Sequence, residues 1–227
     1  MGLSFITSVY AGSVSAFGTG GPIPPNAPLV SCGILISDIA IPAGGIVASG
    51  NAVTVILKGL QHDWSGDLIA TLSYVDTKGT TRASANLFYR VGETSNNTDG
   101  SWTQFGAPGP TGDNYLFNTD FPGNIWSVAA ALGSADFIPG LQTDALNGGK
   151  YFTTDAGGVK NNLSYAFAGL FLRGGTWRLT ITDASDHSSE GQTLANVGSL
   201  VGWEIDIQAQ GNLVPKSQSI TTGSARK

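Results

Sequence analysis

TWRLTITD at residues 176–183 and GWEIDIQ at 202–208 decide how the chain is read. In the first, Trp177, Leu179 and Ile181 alternate with Thr176, Arg178, Thr180 and Thr182; in the second, Trp203, Ile205 and Ile207 alternate with Glu204, Asp206 and Gln208. A period of two sends successive side chains to opposite faces of a strand, so both segments predict strands with one apolar and one polar face. The pattern recurs upstream. AVTVILK at 52–58 is rich in β-branched residues and stops at Gly59, and DLIATLSYVD at 67–76 sets Leu68, Ala70, Leu72 and Tyr74 against Ile69, Thr71, Ser73 and Val75. Ser84 to Val91 predicts another strand, joined to the previous one by a turn at TKGT, 77–80. Only SVAAALG at 127–133 and parts of LSYAFAGLFL at 163–172 leave room for helical turns. The expected fold class is all-β, an antiparallel two-layer sandwich with extended N- and C-terminal arms.

The composition points the same way. Only 12% of the 227 residues are charged and 32 are glycine, against about 25% charged and about 7% glycine in an ordinary soluble domain. Ser, Thr, Asn and Gly fill the polar positions, and these favour turns and strand faces over helix. A net charge of −5 and a pI near 4.8 leave no basic stripe for phosphate contacts, so no nucleic-acid partner is expected. Cys32 is the lone cysteine, which excludes an internal disulfide and a Cys-based zinc site. His62 and His187 are far apart and form no HExxH pairing, and no phosphate-binding glycine loop is placed between a strand and a helix.

Texture divides the chain into parts. Residues 1–33 are expected to form an extended N-terminal arm: Asp38 is the only charge from Met1 to Leu57, and GTGGPIPPNAP at 18–28 excludes helix or central strand. The basic n-region of a secretory signal is missing from this start. The sandwich is expected over 34–208 and a C-terminal tail over 209–227, which has no acidic residue, gains Lys216, Arg226 and Lys227, and holds no apolar run fit to cross a bilayer. No membrane partner is expected. From about 92 to 149 runs a long excursion rich in Gly, Pro and isolated aromatics. Its aromatics either cap one end of the sandwich or form an exposed platform; Trp102, Tyr115 and Trp126 are the candidate binding aromatics, since flat rings stack on sugars or fill pockets on a protein partner. Trp177 and Trp203 are the expected core aromatics.

Two ordered motifs then carry a family resemblance. VTVILKGLQHDWSGDLIATLS at 53–73 holds His62, Trp64, Gly66, Asp67 and Leu68, and GTWRLTITDASDHSSEGQTLANVGSLVGWEIDI at 175–207 holds Gly175, Thr176, Trp177, Asp183, Gly198, Leu200 and Trp203. Together they resemble the P domain (Homo B domain) attached to subtilisin-like proprotein convertases, over about residues 50–90 and 163–208. The resemblance implies a jelly-roll β-sandwich in which His62, Asp67 and Asp183 form a hydrogen-bonded cluster pinning the loop between the first two motif strands. No cofactor is expected; some family members bind calcium, and Asp63, Asp67 and Asp183 are the carboxylates to test for it here. The chain departs from the family at Tyr74 and Val75, which replace its usual Ser-Pro, and its 227 residues hold no protease domain. The family role of buttressing a protease is therefore not carried over.

No catalytic residue is expected and the chain is read as a non-enzyme. Ser65, His62 and Asp67 supply the residue types of a nucleophilic triad, but neighbours within one short turn rarely face each other in those roles, and there is no GxSxG elbow. Two classes of function remain. The preferred one is a structural protein that decorates and stabilises a larger assembly through its arms, a cement protein on the surface of a bacteriophage capsid. Its expected partners are the major capsid protein and copies of itself, its expected state a homo-oligomer, by analogy a trimer, and its location the virion. The alternative is a cell-surface or secreted binding module, for carbohydrate, from which a signal peptide has been removed.

Overall fold

The structure is a computed structural model that describes residues 11–24, 33–40, 44–95, 100–101, 103–106, 113–132, 145–172, 174–184 and 198–210. Its strands are β1 (Ala11–Ile23), β2 (Gly33–Ala40), β3 (Ile46–Val47), β4 (Val53–Leu60), β5 (Leu68–Val75), β6 (Thr81–Tyr89), β7 (Gln104–Phe105), β8 (Asp113–Phe117), β9 (Ala145–Leu146), β10 (Gly149–Tyr151), β11 (Thr176–Asp183) and β12 (Gly198–Gln210). Helix α1 covers Ile125–Leu132 and α2 Leu163–Phe167, in the two stretches that left room for helical turns. One sheet has the order β1-β12-β4-β8-β10, with β3 also on β12; the other has the order β2-β11-β5-β6. Neighbours in both are antiparallel except β8 and β10. The fold is an all-β sandwich.

Register explains why the alternation in the sequence was so regular. β11 pairs with β5 without a break from Thr176↔Val75 to Asp183↔Leu68, which puts Trp177 beside Tyr74, Leu179 beside Leu72 and Ile181 beside Ala70 on one inner face. On the facing sheet β12 pairs with β4, with Trp203 beside Leu57, Ile205 beside Val55 and Ile207 beside Val53. All twelve side chains are buried. Each contributes about 25 cal/mol for every Å² of apolar surface removed from water. A slip of one residue would turn these rows out to solvent, so burial fixes the register. Aromatic rings fill the space between the layers: Phe167 and Tyr74 lie 4.8 and 5.3 Å from Trp177, while Phe88, Phe105, Tyr115 and Phe117 form a second group with centroids 5.0–5.6 Å apart. Tyr74, standing where the resembled family has Ser, turns inward and its hydroxyl accepts from the Gly175 amide at 3.1 Å.

Three expected boundaries are corrected. Residues 11–23, assigned to a free arm, are the edge strand β1, paired with β12 from Ala11↔Gln210 to Ile23↔Gly198. An edge strand needs hydrogen bonds on one side only, so Pro22 is tolerated there although it would break a central strand. The glycines are there for close approach: a Cβ on Gly18 would overlap the Trp203 indole, and one on Gly20 would overlap the Leu200 carbonyl. β12 itself runs to Gln210, two residues into the expected tail. The stretch 92–149 is no simple excursion either, because β8 is an interior strand between β4 and β10, and Phe105, Tyr115 and Phe117 belong to the core. Residues 25–32 and 211–227 lie outside the described residues.

One buried hydrogen-bond chain ties the two sheets at the β1–β2 margin. Trp203 Nε1 donates to Ser37 Oγ at 2.8 Å, and Ser37 Oγ donates to the Thr19 carbonyl at 2.5 Å. Trp203→Ala and Trp177→Ala should each destabilise the fold by about 3–5 kcal/mol in urea unfolding, the range for truncating a large buried aromatic. Wild-type-like unfolding of either variant would contradict the placement of β11 or β12.

Candidate functional site

The loop between β4 and β5 is held on every side. His62 exchanges main-chain hydrogen bonds with Phe105 of β7 at 3.1 and 2.8 Å, Ser65 N–H donates to Thr103 O at 2.7 Å, and Gly66 N–H donates to Ser101 O at 3.0 Å. Arg90 Nε donates to Gly66 O at 3.0 Å, and the Ala184 amide just after β11 donates to Asp67 O at 2.8 Å. Within this frame His62, Asp67 and Asp183 are all buried. His62 Nε2 stands 3.6 Å from Asp183 Oδ2, and Nδ1 lies 2.9 Å from the Trp64 carbonyl, to which it donates when protonated. Burial by itself pushes the imidazole pKa down; the Asp183 carboxylate, with Asp67 and the Trp64 carbonyl, outweighs it, so His62 titrates above its ordinary 6.5.

The other expected site residues fall differently. Asp63 is half-exposed, away from the buried pair Asp67 and Asp183, and among the described residues no three His, Cys, Asp or Glu side chains stand where they could hold one metal ion. The buried imidazole of His62 is what faces Asp183. Ser65 is fully buried with its hydroxyl 2.8 Å from Thr103 Oγ1, so it is no partner for His62. Tyr115 is not a surface aromatic. It is fully buried, its hydroxyl donates to Leu146 O at 2.6 Å and accepts from Gly106 N–H at 2.7 Å, and burial drives its phenol pKa well up. Trp126 is half-buried against the core, with Gly158 so close that a Cβ there would come 2.7 Å from the indole. Trp102 lies outside the described residues. The expected aromatic platform is thus corrected at Tyr115, which serves packing, while Trp126 keeps part of its surface exposed. Trp177 and Trp203 are fully buried.

Two surface features come from residues that sequence reasoning passed over. The first is β2, which pairs with β11 on one side and with no strand of its own sheet on the other. Its outward residues Ile34 and Ile36 are 46% and 54% exposed, next to Thr182 and Thr180 in register, and its single charge, Asp38, is clasped by Arg178 through two 2.8 Å hydrogen bonds. That clasp holds the Asp38 carboxyl below its ordinary pKa. The second is a cleft of about 290 Å³ at the opposite border of the same sheet, lined by Ser84, Ala85, Asn86, Asp155, Asn161, Asn162 and Ala166. Asp155 Oδ1 there accepts from Asn86 Nδ2 at 2.9 Å and Asn161 Nδ2 at 3.0 Å. Exposed isoleucines in GILISDIA were legible as an apolar alternation, but nothing local in the sequence brings Asn86 to Asp155.

No protein-family model matches the chain, and no curated protein matches it. Among solved structures it is similar to a serine protease of Aeromonas sobria, at 14% identity and a TM-score of 0.41, covering 91% of this chain. The chain spans 28% of that protein's length.

The His62 cluster sets a pH dependence of definite sign. A pKa raised by folding adds stability that is fully present below the unfolded value of 6.5 and is lost as pH rises through the higher folded value. Thermal melts taken upward from pH 6 should therefore show stability falling as His62 deprotonates, and His62→Gln should remove that slope. A slope that persists in His62→Gln would assign it to another group.

Proposed function

We propose that this chain is a non-enzymatic structural module, built like a P domain, that joins a larger protein assembly, in its most specific form a decoration protein on a bacteriophage capsid. Its partners on this reading are neighbouring capsid subunits and copies of itself. The observation that carries it is the outer strand β2. Natural edge strands are blunted with Lys, Pro, bulges or covering segments, because unpaired main-chain groups recruit other chains. β2 has no Lys and no Pro, keeps an unbroken eight-residue register with β11, and presents Ile34 and Ile36 beside a charge already neutralised by Arg178. Isoleucines exposed on a border strand suit docking of a protein partner.

The burial of Tyr115 removes one of the three rings on which the alternative, an exported carbohydrate-binding module, was first built. The geometry of Ser65 and His62, each tied to a different partner, favours a non-catalytic loop.

A deletion through residue 28 would remove β1 and uncover Trp203, so a clean truncation takes only residues 1–10 and 211–227. On this reading Ile36→Lys should leave melting nearly unchanged, within about 0.5 kcal/mol for an exposed position, while abolishing incorporation into particles or oligomers measured by light scattering and co-sedimentation. Assembly that survives both Ile36→Lys and the clean truncation would overturn the reading.

A further inference from the structure

The cleft beside β6 holds an oriented carboxylate without a counter-ion. Both amide groups that donate to Asp155 Oδ1 are themselves fixed: Asn86 Oδ1 accepts from Thr71 Oγ1 at 2.9 Å, and Asn161 Nδ2 also donates to the Asn86 carbonyl at 3.0 Å. Asp155 Oδ2 accepts nothing among the described residues, and Asp155 belongs to no ion pair among them. No Lys, Arg or His lines the cleft. The closest lysine in sequence, Lys160, lies instead over the Phe152 ring at 5.0 Å. Asn161 Oδ1 is a second acceptor with no partner, although it is buried. The lining thus holds prepositioned acceptors, together with Ser84, Ala85 and Ala166.

Such a lining suits a ligand that brings many hydroxyl donors and no charge of its own. Pockets for small molecules span about 300–1,000 Å³, so 290 Å³ limits the occupant to roughly one ring. An exposed aromatic is next in sequence to one of its lining residues, Ala166. Tyr165, 80% exposed, sits on α2 between the lining residues Asn162 and Ala166, and Asn162 Oδ1 fixes that turn by accepting from the Tyr165 amide at 2.8 Å. A phenol ring placed there can cover the C–H face of a sugar.

We propose that this cleft binds one neutral pyranose unit of a saccharide, with Asp155 and Asn161 accepting from its hydroxyl groups and Tyr165 closing over its apolar face. The site stands apart from β2, at the other border of the sheet, and does not depend on the assembly reading. The intact chain, labelled with ¹⁵N, is titrated with the methyl glycosides of glucose, galactose, mannose and N-acetylglucosamine, and separately with methylammonium. The expected result is saturable shifts of the Asn86 and Asn161 side-chain amides with at least one sugar, weakened about tenfold or more in Asp155→Asn by loss of a charged acceptor. Asn at 155 keeps an oxygen for the two amide donors, so its fold should persist. Tyr165→Ala, at an exposed position, provides a second variant that should weaken binding severalfold without changing melting. Silence with all four sugars, saturation by methylammonium alone, or wild-type affinity in both variants would each overturn the proposal.

Discussion

The contact on which the rest of this sandwich depends is the passage of the Trp203 indole beneath Gly18. The indole lies in the core from β12, and its N–H reaches Ser37 of β2, which in turn donates to the Thr19 carbonyl of β1. A buried indole N–H without a partner costs about 1–3 kcal/mol, so the serine makes the large ring tolerable where it stands. The same chain joins a strand of one sheet to the border strand of the other. Gly18 is required because any side chain there would occupy the indole's space, and with it β1 can seal the margin along the whole length of β12.

At the far end of the layers, charge does what an indole does at the margin. The loop from β4 to β5 is pinned by His62 facing Asp183 at the end of β11, with Asp67 behind. Burying these groups is expensive unless they compensate one another, and the shift of His62 toward its charged form measures that compensation. Ser65 in the same loop is held through its hydroxyl against Thr103. The two borders of the β2-β11-β5-β6 sheet differ in character, with exposed isoleucines on one side and a polar cleft on the other.

Much of the fold was legible because half-buried strands write their burial into a period of two. Trp177, Leu179 and Ile181, and Trp203, Ile205 and Ile207, read as inner rows and lie as inner rows. β1 was hard to read for a physical reason: the alternation of Val14 and Ala16 with Ser13 and Ser15 gives way to Gly18 and Gly20, which make room for Trp203 and the Leu200 carbonyl, so the apolar pattern breaks off before Ile23. Tyr115 was misread because residue type does not reveal which end of a ring is satisfied; its hydroxyl finds Leu146 and Gly106 within the core.

The sequence by itself determined the class of the structure and the inner faces of its long strands. These are set by alternation and by short motifs, whose meaning travels with the chain. Only the tertiary structure decided that residues 11–23 close the sheet, that Tyr115 lies in the core, and that Asn86, Asp155 and Asn161 share one cleft. Those outcomes rest on approaches between residues many positions apart, where space and hydrogen-bond partners come from other strands and no local pattern records them.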